Sequence, residues 1–150
     1  MAAERVRSQR PQEPTTVLFL CPHGAAKSVL ASAYFQRAAK ERELNVRVDA
    51  AGTDPDPAVS RAAADHLRNN GYEVPIAKPR KVTGKDLATA DVVISLGCDL
   101  TGQPVRPETL RKWDEVPGPG EGMAAADEAI RRRVIALVEE LLAQKQRPSS

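Results

Sequence analysis

Aromatic residues are scarce in this chain. One Trp, two Tyr and two Phe among 150 residues exclude a core of stacked rings, so Ala, Val, Leu and Ile must fill it. Cysteine is scarcer still: two residues are too few for a disulfide-stapled scaffold, and in a reducing compartment such thiols are free or reactive. The two histidines, His23 and His66, lie far apart with no ligand spacing, so neither a metal site nor a cofactor is expected. An excess of one charge is also missing. Lys and Arg number 22 against 20 Asp and Glu, leaving +2, which argues against nucleic acid as a partner. No apolar run approaches the ~20 residues of a membrane span, so no membrane partner is expected. The opening MAAERVRSQRPQEP is polar and lacks a signal-peptide apolar stretch, and a cytoplasmic protein is expected.

What is present is an ordinary globular balance, 41% hydrophobic and 28% charged, at a length that suits one domain. Residues 1–14 read as a disordered lead and 146–150 as a flexible tail, around a single domain over 15–145. Inside it strand and helix patterns alternate. TVLFL (16–20) is wholly apolar, as in a strand buried on both faces of a parallel sheet. Residues 28–42 are Ala-rich with helical spacing. NVRVDAAG (45–52) is a second strand. Residues 57–71 read as a helix with Pro near its first turn and Gly past its end. DLATA is a short helical piece, DVVISLG (91–97) a third strand and LRKWDEV (110–116) a fourth, more exposed one. Residues 124–144 form the last helix, with Ile130, Val134, Leu137, Val138, Leu141 and Leu142 on one stripe. KPRK (78–81) and RRR (131–133) read as solvated charge. The alternation predicts an α/β domain with a four-stranded parallel sheet flanked by helices on both faces. Ligands of such folds sit beyond the carboxyl ends of the strands, where Cys21, Gly52, Cys98 and the segment after Trp113 fall.

The stretch VLFLCPHGAAKS (17–28) carries the chemistry. A strand runs into a loop of small residues and then into a helix N-terminus, which gathers backbone N–H groups and partial positive charge around one point. Gly24, Ala25 and Ala26 let the backbone approach a ligand closely, and Gly24 can take positive φ. Cys21 opens the loop. The thiolate is the attacking form of cysteine, and Lys27 adds a cation while the Ser28 hydroxyl can donate to the thiolate. The arrangement fits a nucleophile attacking a bound oxyanion. A buried packing cysteine beside a plain turn is the competing reading. His23 is read as a loop residue that contacts a ligand or faces solvent, His66 as structural, and Trp113 as a pocket wall or core.

C-x5-K-S closely resembles C-x5-R-[ST], the signature of the low-molecular-weight protein tyrosine phosphatases and of the thioredoxin-type arsenate reductases sharing their fold. DAAGTDPDPAVSRAAADHLRNNGYEV is similar to the stretch of the reductases with SAGT and a following helix, ADVVISLGCD to the group's third strand, and KWDEVP to its Trp segment. The resemblance implies Cys21 as nucleophile, the loop Pro22, His23, Gly24, Ala25, Ala26 and on to Ser28 around the oxyanion, and Ser28 tuning the thiol. It implies a phosphate-, sulfate- or arsenate-like anion as ligand, carried by a phosphorylated protein or a small phosphomonoester. Cys98 falls where the reductases keep a resolving thiol, which would bring in a thiol reductant; plain packing is equally open. Two departures stand out. Lys27 replaces the Arg whose planar fork binds two oxygens at once. The family's Asp-Pro acid is missing after Trp113, leaving Asp114 as the candidate catalytic carboxylate with Glu115 beside it. Phosphomonoester hydrolysis is the first expectation. Arsenate reduction through Cys21 and Cys98 or an external thiol is the second, and a catalytically weak oxyanion- or phosphoprotein-binding regulator the third.

Overall fold

The computed structural model describes residues 13–146. The lead at 1–14 and the tail at 146–150 fall almost wholly outside them. Four strands form one all-parallel sheet: β1 (Thr15–Cys21), β2 (Val46–Gly52), β3 (Val92–Ser95) and β4 (Leu110–Lys112), in the order β2-β1-β3-β4. Four helices connect and close it: α1 (Lys27–Glu41), α2 (Arg61–Asn69), α3 (Gly84–Thr89) and α4 (Met123–Gln146).

Alternation along β1 builds both cores. Val17, Phe19 and Cys21 face the larger layer with α1, α2 and α4, while Leu18 and Leu20 face a smaller layer with Val82, Leu87 of α3 and Val93. A strand apolar on both sides must be covered on both sides, which accounts for the unbroken VLFL run. The scarce aromatics are concentrated in the larger layer, where Phe19 meets Phe35 and Trp113 at centroid distances of 5.6 and 5.9 Å. Trp113 is 4% exposed, so it is a core residue.

The expected fold class holds, and the element ends differ for local reasons. Helix α2 starts at Arg61 rather than near Pro57, because Ser60 caps it: the Ser60 hydroxyl accepts from the Ala63 amide at 3.2 Å. Helix α3 begins with a capping box of Thr83 and Asp86. Strand β3 stops at Ser95 before Gly97, whose φ of +87° turns the chain. Strand β4 stops at Lys112, and Trp113 to Val116 form a turn closed by the Val116 amide on the Trp113 carbonyl. The RRR cluster is not merely solvated. Arg131 pairs with Asp127, Arg132 with Glu128 and Arg133 with Glu115.

This topology sets the site. From β1 the chain crosses to β2 on one side, and β3 then lies on the other, so strand order reverses at β1. The carboxyl ends of β1 and β3 are therefore the switch point, the place where open α/β sheets bind ligands.

Candidate active site

Cys21 is the last residue of β1 and is 4% exposed. The next five residues leave the sheet, and Lys27 starts α1. No side chain caps this helix at Ala26; instead, the Ser28 amide in its first turn donates to Cys21 Sγ at 3.4 Å. The thiol donates to Ser28 Oγ at 3.1 Å, and once ionised it can receive that hydroxyl's proton instead. Hydrogen bonds to a thiolate favour it over the thiol. Ser28 is fully buried, so water does not compete for either contact.

The loop's peptide planes are set from outside. The Pro22, His23 and Ala25 carbonyls accept from the amides of Asp54 (2.7 Å), Asp56 (3.0 Å) and Ser60 (2.9 Å). In a trans peptide the next residue's N–H points opposite to the carbonyl, so the amides of His23, Gly24 and Ala26 face away from the 53–60 segment. The Gly24 amide closes a turn on the Cys21 carbonyl at 3.2 Å. Gly24 sits at φ +61° and lies against Gly52: a Cβ on Gly52 would stand 2.7 Å from the Gly24 nitrogen. Only glycine at both places lets the end of β2 support the loop this closely.

Lys27 reaches across the crevice toward β3, where its Nζ would stand 3.3 Å from a Cβ on Gly97. Cys98 follows, its amide donating to Ser95 Oγ at 3.1 Å. Burial pushes the Cys98 thiol up to about 11, and negative charge on neighbouring Cys21 adds to the rise; hydrogen bonds with Ser95 and Thr53 and the charge of Lys27 oppose it. The two thiols are therefore electrostatic neighbours, although Cys21 packs into the larger layer and Cys98 against the smaller one.

His23 is exposed, with Nδ1 3.3 Å from both the Asp56 carboxylate and the Asp54 carbonyl oxygen. Asp114 is exposed in the turn after β4. Glu115 is committed to a two-pronged pair with Arg133. The guanidinium beside it outweighs partial burial and holds its carboxyl below the ordinary range. His66 lies away from the loop and binds Asp127 at 2.9 Å, the structural role expected of it. Among the described residues no group of three or more His, Cys, Asp or Glu could hold a metal ion, and no helix is long and apolar enough to cross a membrane. Sequence reasoning missed Thr53, Ser95 and the Asp54–Asp56 segment. The Asp-Pro-Asp-Pro run directly after Thr53 was the available signal, because two prolines stiffen whatever they flank.

A strand-end thiol bonded by the first turn of the following helix, at the switch point of a four-stranded parallel sheet, fits a cysteine-based phosphatase or arsenate reductase architecture. The family model for low molecular weight phosphotyrosine protein phosphatases matches residues 16–147, and the chain belongs to that family. A Halobacterium salinarum protein named "Putative arsenate reductase" is 25% identical over 127 residues, spanning 81% of this chain and 89% of that protein. Among solved structures, YfkJ from Bacillus subtilis superposes with a TM-score of 0.79 at 20% identity, over 89% of this chain and 98% of that one. A Corynebacterium glutamicum thioredoxin-dependent arsenate reductase gives a TM-score of 0.77 at 23% identity, over 95% of this chain and 72% of that one.

Proposed function

We propose that the loop from Pro22 to Ser28 binds a phosphate-like oxyanion and that Cys21 attacks it, hydrolysing a phosphomonoester such as a phosphotyrosine. The sulfur–phosphorus bond forms as the ester P–O bond breaks, and water then cleaves the phosphocysteine. The observation that carries this reading is the Ser28 amide and hydroxyl on Cys21 Sγ, inside a loop whose carbonyls are tied off elsewhere. The amides of a loop that runs into a helix N-terminus suit the equatorial oxygens of a phosphoryl group in flight. Lys27 supplies countercharge, as a point charge rather than a fork. For the proton of the leaving group the sequence points to Asp114, since Glu115 is held by Arg133. A reducing, cytoplasmic setting suits a free nucleophilic thiol. The test is steady-state hydrolysis of an aryl phosphate by wild type and Cys21→Ser. Turnover by wild type, at least about 100-fold lower in the variant, supports the reading. Phosphate binding without turnover by either protein would leave a binding module in its place.

A second reading rests on the charge coupling between Cys98 and Cys21. Arsenate held in the same loop would form an arseno-cysteine with loss of water; Cys98 or an external thiol would then attack the Cys21 sulfur, forming a disulfide as the S–As bond breaks and arsenite leaves. Arsenate-dependent consumption of a thiol, lost in Cys98→Ser, separates this reading from hydrolysis.

A further inference from the structure

We infer that the groove between α2 and residues 74–77 is a second binding site, which takes a small carboxylate with an apolar acyl chain. Its volume is about 550 Å³, within the ~300–1,000 Å³ of ordinary small-molecule sites. Val59, Ala64, Val74, Pro75 and Ile76 give it an apolar lining, and no residue of the Cys21 loop lines it. Its charged groups are Arg61, Asp65 and Arg68, all on α2.

Both walls are fixed by the fold. Ala63 and Leu67 are fully buried in the larger layer, which anchors α2 and leaves Arg61, Ala64, Asp65 and Arg68 along the groove. The spacing of those four follows the helical repeat. The opposite wall is pinned beyond both its ends. The Tyr72 amide donates to the Leu67 carbonyl at 2.8 Å, and the Gly52 amide donates to the Arg80 carbonyl at 2.9 Å. Val59, Val74 and Ile76 pack on the larger core and stay half-buried. A trough built in advance needs little ordering when a ligand enters it.

Charge selects the ligand. Arg68 stands 3.8 Å from Asp65, with the two side chains 64% and 59% exposed, and so exposed a pair is weak. Among the described residues Arg61 has no hydrogen-bond or ion-pair partner. Two guanidinium groups against one carboxylate leave the lining with one positive charge in excess. The first turn of α2, where Arg61 lies, adds partial positive charge at the same end. An acyl chain along Ala64, Val74 and Ile76 with its carboxylate at Arg61 satisfies both the apolar lining and the charge. A bare inorganic anion would leave the apolar lining uncovered, and a folded partner needs about 800 Å² of surface on each side. The groove also adjoins the support of the Cys21 loop. Val59 and Arg61 flank Ser60, whose amide donates to the Ala25 carbonyl at 2.9 Å, so that amide reports on an occupant.

The test is a titration of the isotope-labelled protein with octanoate, octanol and octylammonium, followed through the backbone amide signals. Octanoate should shift the amides of Val59, Ser60, Arg61, Val74, Ile76 and Ala77 saturably. Octanol should bind about fivefold more weakly, the worth of one exposed charge pair, and octylammonium more weakly still. Arg61→Gln should bring octanoate down to the affinity of octanol and leave octanol unchanged, with the other amide signals confirming the fold. Arg132→Gln, on α4 and paired with Glu128, should change neither. Equal affinity for the three probes, or an Arg61→Gln variant that binds octanoate as wild type does, overturns the proposal. So does the absence of saturable shifts in the groove, or octanoate shifts confined to residues 22–28, where the carboxylate would act only as an oxyanion. Shifts of the groove amides on dilution of the free protein, or on removal of residues 1–12, would assign the groove to a second copy or to the chain's own opening segment and overturn it equally.

Discussion

At the residue scale the site is a contrast between two thiols that share a crevice. Cys21 receives the Ser28 amide and faces its hydroxyl. Cys98 is held protonated by burial and by the charge of its neighbour, with its thiol pushed up to about 11. At pH 7 alkylation should therefore label Cys21 first. Cys98 should become reactive only as pH climbs toward 11, and peptide mapping across a pH series checks the order. Phosphate or arsenate should slow labelling of Cys21 alone. Lys27 is the second contrast. Lys27→Arg should raise aryl phosphatase turnover by about tenfold, well below the 100- to 1000-fold ascribed to an ideally placed charged donor, because the loop has not been shaped around a guanidinium. Gly97 opposite the lysine leaves room for the larger head, since no side chain occupies the position 3.3 Å from Nζ. Steady-state rates of the variant against wild type and Cys21→Ser decide this. The strand-end cysteine, the loop and its glycine were legible in the sequence because they are contiguous and their spacing has a local mechanical meaning. His23's partner was not legible: Asp56 lies 33 positions further along, and only the pairing of β1 with β2 brings the two together.

At the element scale, the strands and helices followed from periodicity, while their ends obeyed side-chain details that periodicity does not carry. Helix α2 lost its expected first turn because the Ser60 hydroxyl takes the Ala63 amide. The fourth strand lost its second half because Trp113 belongs to the core against Phe19, which turns the chain inward before Asp114. The contact of β2 with the loop gives the sharpest element-level prediction. Gly52→Ala would place a methyl 2.7 Å from the Gly24 nitrogen and 3.0 Å from its Cα, all against backbone. Something must shift, and overpacking of this kind costs about 1–3 kcal/mol. The variant should be less stable by that order in urea unfolding, and its loss of turnover should exceed what the stability change explains, because the displaced atoms belong to the loop proposed to bind the anion.

At the scale of the whole molecule, one carboxylate ties three helices together. Asp127 of α4 accepts from Tyr34 of α1, from His66 of α2 and from Arg131 on its own helix. Burial works against its ionisation, but these donors prevail and hold the carboxyl below the ordinary Asp range. The unfolded chain therefore takes up this proton at higher pH than the folded one. The contribution is complete above the ordinary Asp value near 4 and fades as pH falls through the lower folded value. Asp127→Asn should cost about 1–3 kcal/mol at pH 7, and progressively less as acid protonates the carboxyl, as denaturant titrations across the acid range can measure. A different consequence follows from the place of β2 at the sheet's margin. Among the described residues its strand partner is β1, with a single bridge from Gly52 to Lys81 on its other edge, yet the segment beyond it holds the loop carbonyls in place. Marginal strands open more readily than central ones. On the proposed reading, a brief local opening over 46–60 would release the anion-binding loop while β1 and β3 stay intact, so turnover should be lost before the fold. Conversely, an anion in the loop acts as a remote clasp on the sheet's edge. The amides of Asp54, Asp56 and Ser60 should then exchange with deuterated solvent more slowly when phosphate is present, with those of β3 unmoved.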